Sequence, residues 1–130
     1  MIYMQIAGFF QELWAPSFGK PTGSIRSFTA PPPHEDAKKI TEYLLAGHEI
    51  FSVMGSSKDV LGSEKTVLGG DSIFSDNEWI WRGDLWFYVW NYHVQLPEDF
   101  LARVRRDDYL MPAENESRLV EIAKYVQAHL

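Results

Sequence analysis

The chain has 130 residues, 45% of them hydrophobic and 15% aromatic, and a formal net charge of −6. That length suits one domain able to bury about two-thirds of its unfolded surface, and the apolar share excludes a disordered tail. With no cysteine, disulfides, thiolate nucleophiles and Cys-ligated metal centres are excluded as well.

No run reaches the roughly 18 apolar residues of a membrane span. The N-terminal "MIYMQIAGFFQELW" lacks a basic leader region and a small-residue cleavage site, so a cytoplasmic location is expected. Charge is uneven: residues 1–65 carry six basic and seven acidic side chains, residues 66–130 six basic and eleven acidic. The one basic cluster is Arg103, Arg105 and Arg106, too little to neutralise a phosphate backbone, so nucleic acid is not an expected partner. An acidic protein instead steers and selects basic protein partners.

In chain order, Ile2 to Trp14 reads as a strand, although Gly8 interrupts it. Residues 15–34 hold five of the seven prolines and form a loop, with Pro31-Pro32-Pro33 extended. "EDAKKITEYLLAG" predicts a helix with Ala37, Ile40 and Leu44 on one stripe and Gly47 as a left-handed cap. Ile50 to Met54 predicts a strand, followed by a loop with a short strand near Thr66–Leu68.

"SIFSDNEWIWRGD" predicts a hairpin: Ile73 and Phe74, a turn at Ser75-Asp76-Asn77, then Trp79 and Trp81 on one face and Ile80 on the other. Asp84 is the expected N-cap of the next helix, which Leu96 and Pro97 close. A further helix opens at Pro97, with acids in its first turn, arginines in its last, and Phe100, Leu101 and Val104 inward. The last, from about Asn115 to His129, carries Leu119, Ile122, Ala123, Val126 and Leu130 on one stripe. Strands and helices do not alternate regularly, so the expected fold is a single α+β domain, a small antiparallel sheet packed against about four helices.

Catalytic patterns are sparse. His34, His48, His93 and His129 form no ligand pair at one-turn spacing, and no metal or cofactor is expected. "FGKPTGS" lacks the first glycine and the hydroxyl residue of a phosphate loop, and reads as a turn. Paired acids at helix ends, Asp107-Asp108 among them, have dipole stabilisation as their simplest explanation.

The aromatic stretch "EWIWRGDLWFYVWNYH" sets seven rings in sixteen residues, including four of the five tryptophans. At 100° per residue, Leu85, Val89, Tyr92 and Leu96 share one face while Trp86, Trp90, Val94 and Phe87 share another. A helix with two apolar faces reads as a central helix between the sheet and the C-terminal helices. The alternative exposes the Trp86/Trp90 edge as a protein-binding surface rimmed by Asp76, Glu78, Asp84, Asp107 and Asp108. A homodimer burying those tryptophans is a further reading.

Residues 69–105, "GGDSIFSDNEWIWRGDLWFYVWNYHVQLPEDFLARVR", resemble a group of small, largely uncharacterised bacterial proteins sharing an Asp-x-x-Trp-x-Trp hairpin, Asp-Leu, two aromatics, Tyr-His and Leu-Pro-x-x-Phe. The pattern falls on Asp76, Trp79, Trp81, Asp84, Leu85, Phe87, Tyr88, Tyr92, His93, Leu96, Pro97 and Phe100, and similarity continues upstream through "ELWAP", "SIR" and "PHEDAKKITEYLLAGHE". By analogy of type, the resemblance implies a non-enzymatic cytoplasmic immunity protein that neutralises a basic toxin domain such as a nuclease. Trp86 and Trp90 stand where the pattern carries small or charged residues, which fits a variable, partner-facing surface. The competing expectation is a small hydrolase or nucleic-acid-processing enzyme that pairs His93 with a nearby carboxylate such as Asp84.

Overall fold

The computed structural model describes residues 4–29 and 32–130. Strands are β1 (Gln5–Ile6), β2 (His48–Phe51), β3 (Ser56–Lys58), β4 (Thr66–Leu68), β5 (Ile73–Ser75) and β6 (Trp79–Arg82); helices are α1 (Ala37–Leu45), α2 (Leu85–Tyr92), α3 (Glu98–Arg106) and α4 (Glu116–His129). Four strands form one sheet in the order β1-β6-β5-β2, and β3 and β4 form a separate antiparallel ribbon. The domain is α+β as expected, with one difference: β1 runs parallel to β6, so the sheet is mixed.

The β5–β6 hairpin shows how local sequence fixes the frame. Asn77 adopts φ 82, and the Ser75 hydroxyl donates to the Trp79 carbonyl at 2.7 Å while accepting the Asn77 N–H at 3.1 Å. The Asp76 carboxylate accepts the N–H groups of Glu78 and Trp79 at 3.1 and 2.8 Å. Short polar side chains thus close the turn on their own backbone. The strand that follows sends Trp79 and Trp81 into one apolar cluster and Ile80 into the other.

α2 lies between those clusters. Phe87 and Tyr88 join one, with Ile122 and Val126 of α4; Leu85 and Val89 join the other, with Phe100, Leu101 and Val104 of α3 and Ile40 and Leu44 of α1. Trp86 packs against both. Each large side chain buried this way contributes about 1.5–3 kcal/mol, which explains why a helix of eight residues holds with almost no polar surface. The ring of Phe100 lies 5.4 Å from Trp79 and 5.7 Å from Trp81, edge to face in both cases.

Several boundaries differ from expectation for identifiable reasons. α2 stops at Tyr92, because His93 turns left-handed (φ 55) and Val94 pairs with Thr29; it does not run on to Leu96. β2 starts at His48 and ends before Ser52, where the Ser72 hydroxyl takes the Val53 N–H at 2.9 Å. Gly47 is not a left-handed cap; Ala46 ends α1, and a Cβ at 47 would meet the Trp81 ring at 2.6 Å. The ribbon strand Ser56–Lys58, read as loop, has no apolar alternation to mark it. Leu130 falls off the α4 stripe and is exposed. The expected N-terminal strand contracts to Gln5–Ile6; its start at Ile2, and Pro31 of the proline run, lie outside the described residues.

Candidate functional site

The acids proposed as a rim divide into three fates. Asp84 and Asp76 are both 0% exposed, so neither belongs to a surface. Asp84 sits at the N-cap position of α2 but caps nothing: Arg82 takes its carboxylate through Nε at 3.1 Å and Nη2 at 2.8 Å, and the Ser57 hydroxyl donates to it at 3.2 Å. The guanidinium outcompetes the helix amides because its two parallel N–H groups join full opposite charges in one bidentate pair, where an amide brings only a dipole. Burial by itself lowers the Arg82 pKa, but Asp84 and Asp71 more than offset it and hold the guanidinium charged. Its Nη1 also donates to the Leu13 carbonyl at 2.7 Å, tying the hairpin to the N-terminal segment.

Asp76 accepts the Tyr43 hydroxyl at 2.6 Å and pairs with Arg103 at 3.0 Å. Burial, then the bond to Asp76, pushes the Tyr43 hydroxyl far above its ordinary range, so it stays a donor. Glu78 and Asp107 gather around the same Arg103, at 3.3 and 4.0 Å, and Asp107 also meets Arg106 at 3.3 Å. Three carboxylates thus share two guanidinium groups, and Glu78 and Asp107, 58% and 44% exposed, are only partly answered within the chain. Asp108, just past α3 with φ 54, is exposed and has no ion pair among the described residues.

Trp86 and Trp90 lie one turn apart on α2. Trp86 is half-buried beside a cavity of about 290 Å³ that Leu45, Glu49, Val53, Leu68 and Phe74 also line. Trp90, 50% exposed, lines a second of about 330 Å³ with His34, Glu35, Lys38 and His93. Leu45 (61% exposed), Leu68 (84%) and Met54 (97%), which follows Val53 in the chain, extend this apolar surface. Exposed apolar side chains gathered around a cavity, as Leu45 and Leu68 are beside Trp86, mark interaction surfaces, because a monomer gains nothing by leaving them wet.

These aliphatic members were missed from the sequence. Leu45 neighbours Leu44 but falls off the buried stripe of α1, a signal that could have been read; Met54 and Leu68 lie in a loop and a three-residue strand whose facing no periodicity sets.

The His93–Asp84 pairing does not form. The two residues flank opposite ends of α2, whose eight residues span about 12 Å at 1.5 Å per residue, and Asp84 is already bound by Arg82. Among the described residues, no group of three or more His, Asp or Glu side chains is placed to hold a metal, and no helix is long and apolar enough to cross a membrane. No family model, curated protein or solved structure matches the chain.

Proposed function

We propose that this protein is a non-catalytic binding module, most specifically a cytoplasmic immunity protein that docks onto a basic toxin domain and blocks it. The observation that carries the reading is half-exposed Trp90, one turn of α2 from half-buried Trp86, whose cavity exposed Leu45 and Leu68 also line; Met54, next to lining residue Val53 in the chain, is exposed too. Glu35 and Glu49 line the two cavities, where Lys38 is the one Lys or Arg among the described lining residues, and exposed Glu42 stands on α1 three residues before Leu45. An apolar centre with an acidic rim suits a basic partner: rings supply affinity on desolvation, and carboxylates together with the net charge of −6 speed encounter. The immunity role itself comes by analogy of type, from the resemblance to a group of small, largely uncharacterised bacterial proteins.

Co-purification from the cells that make the protein tests this, followed by co-expression with the captured partner. The expected result is a basic partner whose toxicity is relieved by wild type and not by Trp90→Asp. Relief that survives Trp90→Asp and Leu45→Asp together contradicts the proposed face.

The enzymatic reading keeps one foothold: His93, His34 and Glu35 share the Trp90 cavity. A hydrolytic activity that His93→Ala and Glu35→Gln both abolish would replace the binding reading.

A further inference from the structure

A separate cavity lies between the N-terminal segment and the start of α3. Phe9, Phe10, Phe28, Leu96 and Pro97 wall about 320 Å³. Thr22, Gln95 and Glu98 supply its polar side chains. It shares no lining residue with the Trp90 cavity.

Backbone bonds hold the walls in place. The Thr22 N–H donates to the Phe9 carbonyl at 2.8 Å, the Gln95 N–H to the Phe28 carbonyl at 2.8 Å, and the Trp14 indole to the Gly8 carbonyl at 3.1 Å. Gly8 makes the corner: its φ is 72, and a Cβ there would stand 2.6 Å from the Leu85 side chain. Such a site needs little ordering on binding, which removes one of the main costs of affinity.

Charge decides what it would hold. An adjoining cavity of about 370 Å³ shares Gln95, Leu96 and Glu98 and adds His34 and Arg105. Arg105 is engaged by Asp36 through two bonds, at 2.8 and 3.1 Å, so its charge is cancelled on the spot. Glu98 has no ion pair among the described residues. One carboxylate that no cation pairs among the described residues therefore stands at the junction, at the first position of α3 and beside three phenylalanine rings.

We propose that this cavity binds a small organic cation with an apolar body, an arylalkyl ammonium in class, its hydrocarbon among Phe9, Phe10 and Phe28 and its charge at Glu98. Aromatic faces and a carboxylate both attract a cation, whereas an anion meets Glu98 and the chain's overall negative charge. The volume lies at the small end of ligand pockets, which fits a single ring and a short chain.

The test is a titration of 2-phenylethylammonium into the isotope-labelled full chain, read at the backbone amides of Gly8, Thr22 and Gln95. The expected result is saturable shifts at these amides, binding at least about tenfold weaker for uncharged 2-phenylethanol, and none for 3-phenylpropanoate. Glu98→Gln, at an exposed position, is expected to bring the ammonium down to the affinity of the alcohol without moving the unfolding midpoint, and Phe28→Ala to weaken both ligands. Equal affinity for ammonium and alcohol, an unaltered affinity in Glu98→Gln, or no saturable shift overturns the proposal.

Discussion

Gly47 and the Trp81 indole occupy one space: a Cβ on Gly47 would lie 2.6 Å from Cζ2 of the ring and 3.0 Å from the Phe74 Cβ. The glycine serves close approach, which lets the end of α1 settle on the sheet and lets the Trp81 Nε1 donate to the Leu44 carbonyl at 3.0 Å. Gly47→Ala is expected to cost about 1–3 kcal/mol through overpacking, measured as a lower urea midpoint. A neutral or stabilising alanine would show that the ring moves aside freely.

Asp84 separates a structural acid from a surface one. Removing it leaves the Arg82 guanidinium, whose side chain is only 15% exposed, with Asp71 as its remaining ionic partner, and Asp84→Ala is expected to cost about 1–3 kcal/mol in chemical denaturation. Asp108→Ala, at an exposed position, is expected to stay within about 0.5 kcal/mol of wild type. Similar losses in the two variants would contradict the assignment.

Acid sensitivity follows from Asp36. The two hydrogen bonds from Arg105 hold its carboxyl well below the usual carboxylate range, and the Tyr109 hydroxyl adds a further bond. A carboxyl depressed in the folded state contributes stability that is complete above its unfolded value of about 3.9 and is lost as pH falls through the folded value. Stability measured from pH 6 down to pH 2 is therefore expected to decline below about 4, and the difference between wild type and Asp36→Asn to shrink over that window. A difference that stays constant with pH would remove Asp36 from the account.

Much of this fold could be read directly from residue order. The hairpin turn at Ser75-Asp76-Asn77, the α3 charge order and the Asn115 cap of α4, whose side chain accepts the Arg118 N–H at 3.2 Å, all rest on contacts within a few residues. The parallel β1–β6 pairing joins residues more than seventy positions apart, and nothing local encodes it. The candidate surface divides the same way. Helical angle isolated Trp86 and Trp90, yet the acids assigned beside them go to arginines: Asp84 to Arg82, Asp76 to Arg103. A carboxylate in the sequence looks the same whether water or a guanidinium will meet it.

The two tryptophans differ in what they contribute to the fold. Trp86, packed on both apolar clusters, is expected to cost about 2–4 kcal/mol when cut to alanine, whereas half-exposed Trp90 costs under about 1 kcal/mol. Thermal or urea unfolding of the two single variants checks this. A larger loss at Trp90 would make it a packing residue and weaken its role as a contact.

In the proposed binding role, half-exposed Trp90 of α2 anchors the partner. The dissociation rate of the purified complex, compared for wild type and Trp90→Ala at one salt concentration, tests it most directly. The account predicts dissociation at least about tenfold faster in the variant, with its unfolding midpoint essentially unchanged. An unaltered dissociation rate in a correctly folded Trp90→Ala protein would contradict it.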